Sequence, residues 1–263
     1  MSTGSKSQTE FSYWQERAGT YSKLDDVSSK RTAYKIAEAA VRLGLSQPLI
    51  LDVGCGPGKI TKVLKQRIRH SKAIGIDISS KMISKAKDND FTRDVSFAEL
   101  NFLENNVILD SIHPNLIVMS LFLHHMTNGR DITAVKKAFN ILQNNGWLLV
   151  AEAVPPSDLI LEEYRRVFSL KEDRNCYTEL DIAGMMKSAG FEEVGASSYR
   201  FTVRLNSWLN DPTLSDLLKQ TLYDMHVNGS PNWKKAYNMS PIPGGDWELH
   251  CKMSLVCGRK KTR

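Results

Sequence analysis

Residues 49–59 read Leu-Ile-Leu-Asp-Val-Gly-Cys-Gly-Pro-Gly-Lys, an apolar run that ends in three closely spaced glycines. The run has the length and the aliphatic composition of a buried strand, and the glycines stop it. Glycine tolerates positive φ and lets a ligand approach the backbone closely, so a glycine loop between a strand and a helix is typical of nucleotide sites. The stretch therefore predicts a strand, a ligand-binding loop and a helix in succession.

Different classes of nucleotide-binding site differ in the spacing of their loop glycines, so the spacing here shows which classes the sequence can belong to. A phosphate-binding loop needs Gly-x-x-x-x-Gly-Lys-Ser/Thr, but Gly58-Lys59 is followed by Ile60. A dinucleotide fingerprint needs Gly-x-Gly-x-x-Gly, and here the third glycine comes one residue early. The sequence matches neither motif. It instead combines Gly-x-Gly-x-Gly with two acids: Asp52, two residues before the first glycine, and Asp77, at the end of the next predicted strand. A carboxylate at that second position can accept hydrogen bonds from both ribose hydroxyls.

The rest of the chain alternates between short apolar runs and amphipathic segments, which indicates a parallel sheet with helices on both faces. Strands are predicted at 49–53, 73–77, 95–98, 116–120, 147–153, 192–204 and 246–258. Helices are predicted at about 28–43, 58–68, 80–88, 131–143, 157–170, 179–189 and 206–226. The fold class is therefore α/β, a doubly wound and mostly parallel sheet, with helices 157–170 and 206–226 as a cap over the carboxyl edge of the sheet.

Composition and charge describe an ordinary globular protein of 263 residues. No apolar run approaches the roughly 20 residues of a membrane span, and the first ten residues lack the apolar core of a secretory signal, so we expect a cytoplasmic protein. The net charge is 35 − 29 = +6, but Arg259, Lys260, Lys261 and Arg263 supply four of these charges. Without them the balance is 31 − 29 = +2, which favours a solvated basic tail over a nucleic-acid surface.

The glycine loop, Asp52 and Asp77 together resemble the class I S-adenosylmethionine (SAM)-dependent methyltransferases, of the small-molecule type found in ubiquinone and menaquinone biosynthesis. The resemblance covers roughly residues 45–155. It implies a seven-stranded Rossmann-like sheet in the order 3-2-1-4-5-7-6 with the last strand antiparallel. It also implies an N-terminal helical lid over residues 1–44 and a methyltransferase domain over 45–263, with cap helices near 156–190 and 205–240.

The resemblance assigns SAM contacts to particular positions. The glycines would line the methionine and ribose of the cofactor, Asp52 would lie near its amino group, and Asp77 would hold the ribose. Asn101 stands where the family usually has an Asp that accepts from the adenine amino group; its amide oxygen can accept the same bond without charge. The complete set of expected SAM contacts is Asp52, Gly54, Gly56, Gly58, Asp77, Ile78, Asn101, Phe102 and Ser120.

The stretch after the fourth strand, Leu121-Phe-Leu-His-His-Met126, resembles the segment that lines the methyl-donor end of the pocket in this family. His125 matches a histidine often found there, whereas His124 fills a more variable position and is the better candidate for a general base or a substrate hydrogen bond. Tyr21 is expected to cover the methionine moiety. Related families that bind a divalent metal near this turn place an acid beside the histidine; here that place holds His124 and no acidic partner is visible, so no metal is predicted.

These features predict transfer of a methyl group from SAM to a small-molecule acceptor at oxygen, nitrogen or carbon. Signatures of the common nucleic-acid reactions are missing: Ser120-Leu-Phe follows the fourth strand where a Pro-Pro-aromatic motif would stand, and the sequence has no Pro-Cys dipeptide. Three alternatives stay open: an RNA or protein methyltransferase, an enzyme that cyclises the aminobutyrate chain of SAM and releases methylthioadenosine, and a purely binding role. The acceptor and the oligomeric state are not readable from the sequence.

Overall fold

The sheet confirms the predicted strand order. The computed structural model describes residues 26–88, 95–211 and 213–262. Its strands are β1 (Leu49–Val53), β2 (Lys72–Asp77), β3 (Val95–Glu99), β4 (Leu116–Ser120), β5 (Trp147–Val154), β6 (Glu192–Arg204), β7 (Ser240–Ile242) and β8 (Asp246–Arg259). They are ordered β3-β2-β1-β4-β5-β8-β6. Strands β1 to β5 pair in parallel, and β8, the predicted seventh strand, runs antiparallel to both β5 and β6.

One strand was not predicted. The short β7 pairs with the start of β8, with Ile242 opposite Asp246. Gly244 and Gly245 lie in the connection with φ of 90° and 76°, a backbone conformation that glycine adopts without a steric penalty. The two glycines therefore turn the chain tightly enough to add a hairpin arm to the sheet.

The helices lie close to the predicted positions. They are α1 (Asp26–Arg42), α2 (Lys59–Arg67), α3 (Ser80–Asp88), α4 (Val107–Ser111), α5 (Arg130–Ile141), α6 (Leu161–Lys171), α7 (Glu179–Ala189), α8 (Leu205–Leu209), α9 (Asp216–Val227) and α10 (Pro231–Ala236). The predicted helix 206–226 is divided into α8 and α9. Asp211 precedes a proline in the sequence, which disfavours helical backbone, and the Ser215 side chain then caps α9 by accepting from Leu218 N–H.

Side-chain alternation along the strands builds two hydrophobic layers, one on each face of the sheet. Leu51, Ile117 and Val150 belong to the layer that α5 and α7 cover. The neighbouring positions Ile50 and Leu116 belong to the layer that α1, α2 and α3 cover. Because the connection after β1 and the connection after β4 leave on opposite faces, a crevice opens between the carboxyl ends of these two strands, where doubly wound folds bind ligands.

A third hydrophobic cluster joins the predicted cap helices α6 and α9 to α8, α10 and the start of β8. His226 lies at its centre, with ring centroids 5.1 Å from both Trp208 and Trp233. Its Nδ1 is 2.7 Å from Leu222 O, and burial lowers the pKa of His226 to about 4. These aromatic residues of the cap therefore pack on one another. Within the described ranges, no helix has both the length and the apolar character required of a membrane span.

Candidate active site

The glycine loop joins β1 to α2 and has three residues in the left-handed region: Gly54, Gly56 and Gly58, with φ of 69°, 53° and 78°. A Cβ on Gly54 would lie 2.6 Å from Cδ2 of Phe122, and one on Gly58 would lie 2.6 Å from Cζ of Phe97, so both positions exclude a side chain. At Gly56, by contrast, no atom of the described residues lies within 4 Å of a Cβ position. The middle of the loop therefore borders open space, as a backbone cradle for a ligand requires.

Asp77, at the end of β2, is bonded to this loop. Its Oδ2 accepts from Gly56 N–H at 2.9 Å, and its Oδ1 accepts from Ser79 N–H at 2.9 Å. Burial raises the pKa of Asp77, while the backbone donors act in the opposite direction. Each carboxylate oxygen can accept more than one hydrogen bond, so these contacts leave Asp77 able to bind ribose hydroxyls as well. Asp77 therefore ties the end of β2 to the glycine loop, and its contact with the ribose stays a prediction.

Asp52 lies one strand away, buried beneath the loop. Its Oδ2 accepts from the Thr61 hydroxyl at 2.6 Å, which ties β1 to the first turn of α2. Burial raises the pKa of Asp52 to about 7. Its carboxyl group therefore supports the loop, and its contact with the amino group of SAM stays a prediction.

Asp52→Asn is expected to change how stability depends on pH. Because the folded state holds the proton of Asp52 up to about pH 7 and the unfolded chain releases it near pH 4, the folded state binds more protons between these values. The free energy of unfolding of the wild type, relative to that of Asp52→Asn, should therefore fall as pH rises from about 4 to about 7. Urea titrations at several pH values check this; a difference that is constant over the range would contradict it.

The turn after β4 is held by Glu152, a residue of β5 that the sequence analysis did not identify. Glu152 is fully buried, and its Oε1 accepts from Phe122 N–H at 3.0 Å and from Leu123 N–H at 2.8 Å. Its Oε2 lies 2.6 Å from Nδ1 of His124. Burial raises the pKa of Glu152 to about 7. The one signal in the sequence is a carboxylic acid within the otherwise apolar strand β5.

The segment 172–178, between α6 and α7, packs on the same turn. Asn175 N–H donates to His124 O at 2.8 Å, and the Asn175 side chain donates to Met126 O at 3.1 Å. The Tyr177 hydroxyl lies 2.8 Å from Asp131 Oδ2 and 3.1 Å from Leu123 O. The backbone on both sides of His124 is thus fixed by hydrogen bonds from a second part of the chain.

Three more of the predicted SAM contacts follow the carboxyl ends of β2 and β3. Phe102 is buried and packs edge-on against Phe122, with ring centroids 6.4 Å apart. Asn101 Oδ1 accepts from Leu103 N–H at 3.1 Å, so any bond to adenine would use the second lone pair of this oxygen. Ile78, which follows Asp77, is partly buried. The direct contacts of these residues with SAM stay predictions.

Two features of the crevice fit an adenosyl ligand. Gly56 offers open space beside its backbone, and the hydroxyl of Ser120, at the end of β4, is buried without a hydrogen-bond partner in the described part of the chain. A buried polar group normally has a partner, so Ser120 suits contact with a polar ligand. Tyr21, the predicted cover of the methionine moiety, lies outside the described residues. Over residues 26–88, 95–211 and 213–262, no group of three or more His, Cys, Asp and Glu side chains is arranged to hold a metal ion.

Comparison with known proteins agrees with the resemblance to SAM-dependent methyltransferases. A family model described as a methyltransferase domain matches residues 50–146. Carboxy-S-adenosyl-L-methionine synthase of Helicobacter pylori strain J99 is 30% identical over 167 residues, which is 62% of this chain and 67% of that protein. The same enzyme of strain P12 is 34% identical over 143 residues, 53% of this chain and 57% of that protein. The chain thus spans between about half and two thirds of the length of these relatives.

Solved structures match the fold. A Bacillus halodurans protein assigned as a methyltransferase superposes with a TM-score of 0.75 at 18% identity, covering 86% of this chain and 99% of that one. This structural similarity supports the fold alone. The sequence relatives and the domain match are evidence for the family. Together with the glycine loop and Asp77, they show that the chain belongs to the class I SAM-dependent methyltransferase family, whose cofactor is SAM.

Proposed function

We propose that the protein transfers the methyl group of SAM to a small-molecule acceptor. The observation that carries the proposal is the buried pair of His124 and Glu152, 2.6 Å apart, in a turn whose Phe122 ring contacts the glycine loop at Gly54. A titratable pair is thereby held next to the cradle of the cofactor. His124 is only 4% exposed, which suits a small acceptor better than the surface of a folded RNA or protein.

The residues of the site would act mainly by positioning. SAM supplies an electrophilic methyl group when it is bound, so the chain needs to hold the acceptor in line with that methyl and exclude water. The glycine loop and Asp77 would fix the nucleoside, and Ser120 would offer a hydroxyl at the end of β4. The turn that carries His124 would face the acceptor. The segment 172–178 closes over this turn and helps to keep water out.

Methyl-labelled SAM and a low-molecular-mass extract of metabolites test the proposal. We expect the label in a small molecule together with S-adenosylhomocysteine, both detected by mass spectrometry. Parallel reactions with total RNA and with a protein extract serve as controls. Label in either macromolecular fraction but not in the small molecules would contradict the proposal. Methylthioadenosine formed from SAM alone would instead support the cyclisation alternative.

A second function is favoured by the relatives. Both Helicobacter proteins are named for the synthesis of carboxy-SAM, which favours an enzyme whose product is the modified cofactor itself. The same reactions distinguish the two functions. Methyl transfer produces S-adenosylhomocysteine, whereas carboxylation keeps the methyl carbon on sulfur as a carboxymethyl group, in a SAM derivative that is heavier by one carbon dioxide. Carboxylated SAM without S-adenosylhomocysteine would assign the chain to the second function.

A further inference from the structure

We propose that the helical face formed by α1, α2 and α3 docks on an anionic membrane surface, at a place separate from the cofactor crevice. The observation that carries this proposal is the distribution of charge along the chain. Residues 26–88 contain 13 Lys and Arg and five Asp and Glu, a balance of 13 − 5 = +8. The other residues contain 35 − 13 = 22 basic and 29 − 5 = 24 acidic side chains, a balance of −2. The excess of positive charge therefore lies in the segment that holds these three helices.

The basic end of the chain, expected from the sequence to be a solvated tail, is engaged within the fold. Arg259 and Lys261 pair with Glu193 at 3.4 and 3.3 Å. Lys260 Nζ donates to Leu142 O, at the end of α5, at 2.6 Å. These charges fasten the last residues of the chain to β6 and α5, so they are not the source of a basic surface.

Part of the charge of residues 26–88 forms a basic patch along α1, the end of α2 and the start of β2: Lys35, Arg42, Arg67, Arg69 and Lys72. The Arg67 guanidinium lies 5.1 Å from the centre of the Tyr34 ring, so the outer faces of α1 and α2 adjoin. Glu38 pairs with Lys35 at 2.8 Å. This hydrogen bond lowers the pKa of Glu38, and the charges of Arg42 and Arg67 act in the same direction. The acid is therefore outnumbered by three basic side chains around it.

The basic patch reaches the edge of the sheet opposite the crevice. Arg67 ends α2, Arg69 follows it, and Lys72 begins β2; all three side chains are exposed. Because β1 and β2 run parallel and the crevice opens at their carboxyl ends, the first residue of β2 lies at the far end of the strands. A nucleic acid methylated in the crevice would need its phosphate-binding residues around the mouth of the crevice. The position of the patch therefore favours docking over recognition of a nucleic-acid acceptor.

Two exposed apolar side chains favour a membrane over another polyanion. Tyr34 and Val41 are 43% and 50% exposed, and they are seven residues apart on α1, which places them on the same side of the helix. At a bilayer surface an aromatic and an aliphatic side chain can enter the headgroup region while basic residues around them contact lipid phosphates. A nucleic-acid backbone offers no such apolar layer, and Arg67 occupies one face of the Tyr34 ring, where a base would stack.

Sedimentation with lipid vesicles tests the proposal on the full chain. It uses neither SAM nor an acceptor, so its result is independent of the proposed methyl transfer. We expect binding to vesicles of equal parts phosphatidylcholine and phosphatidylglycerol, and no binding to phosphatidylcholine alone. Each basic side chain at an anionic surface contributes roughly fivefold to binding, so Arg42→Gln, Arg67→Gln and Arg69→Gln together should lower the partition coefficient by about 100-fold. Added salt should weaken binding of the wild type, because it screens these charges.

The matched control replaces Lys187, Lys234 and Lys235 by Gln. These lysines are exposed in the last turns of α7 and α10, so the control has the net charge of the first variant with the basic patch intact, and it should bind vesicles like the wild type. Tyr34→Ser with Val41→Ser tests the apolar part and should reduce vesicle binding roughly tenfold at constant charge. Thermal unfolding checks the fold of each variant. If the triple patch variant does not fold, the apolar variant and the salt dependence carry the test.

Vesicle binding that needs the anionic lipid and is weakened only in the patch and apolar variants supports the proposal. No binding by the wild type, equal binding to both kinds of vesicle, or equal losses in the patch variant and its control would overturn it. A fluorescent duplex RNA is the competing probe. If RNA binds more tightly than anionic vesicles and the apolar variant binds it like the wild type, the proposal is wrong and the face belongs to nucleic acid. The methyl-label reactions decide the proposed function separately.

Discussion

Asp77→Ala is expected to raise the dissociation constant of SAM by about 100-fold or more. The side chain would lose two charge-assisted hydrogen bonds to ribose hydroxyls, each worth about 1.5–3 kcal/mol, and about 1.4 kcal/mol corresponds to a factor of ten in affinity. The variant also removes the acceptor of Gly56 N–H at 2.9 Å, so the edge of the cradle loses its support. Isothermal titration calorimetry with SAM and with S-adenosylhomocysteine measures the effect.

Two further variants show which property of Asp77 matters. Asp77→Asn keeps one acceptor oxygen but loses the charge, so we expect an affinity between those of wild type and Asp77→Ala. Asp110→Ala removes a half-exposed carboxylate that pairs with Lys137 at 3.1 Å, and SAM affinity should not change. An Asp77→Ala protein that is folded and binds SAM as tightly as the wild type would show that the ribose assignment is wrong.

The strands of the sheet could be predicted from the sequence because each strand is marked by a local pattern of residues. Apolar runs marked the strands, and the glycine spacing with Asp52 and Asp77 marked the loop and the next strand end. The resemblance to a known family supplied the strand order, which the structure confirms. The division between α8 and α9 was missed because the apolar pattern continues across Asp211, and only the following proline signals the break.

The partner of His124 was missed for a different reason. An acid beside the histidine in the chain was considered only as a metal ligand, whereas Glu152 comes from the adjacent strand, 28 residues later. The parallel register pairs Ser120 with Ala151, so the residue after Ala151 reaches the first residues after β4. An acid at the end of β5 was therefore visible in the sequence, but its meaning depends on the alignment of two strands, which apolar periodicity does not specify. The contacts of segment 172–178 depend on tertiary packing in the same way.

Gly56→Ala should weaken SAM binding while leaving the fold intact. At φ of 53° an alanine costs about 1 kcal/mol in backbone strain, and no atom of the described residues lies within 4 Å of the new methyl group. The methyl group would instead project into the space that we assign to SAM. We expect the dissociation constant of SAM to rise by at least about tenfold, since a ligand that packs on the backbone there would have to shift. Calorimetry and thermal unfolding measure the two effects separately.

Gly44→Ala is the matched control for this prediction. Gly44 follows α1 with φ of 66°, and within the described residues its Cβ position is equally unobstructed. The two variants should therefore lose similar stability, and a difference between them in SAM affinity must come from the position of Gly56. Gly58→Ala completes the comparison, because its methyl group would lie 2.6 Å from the Phe97 ring and should destabilise the fold itself. If Gly44→Ala and Gly56→Ala bind SAM equally well, the open space beside Gly56 is not where the cofactor binds.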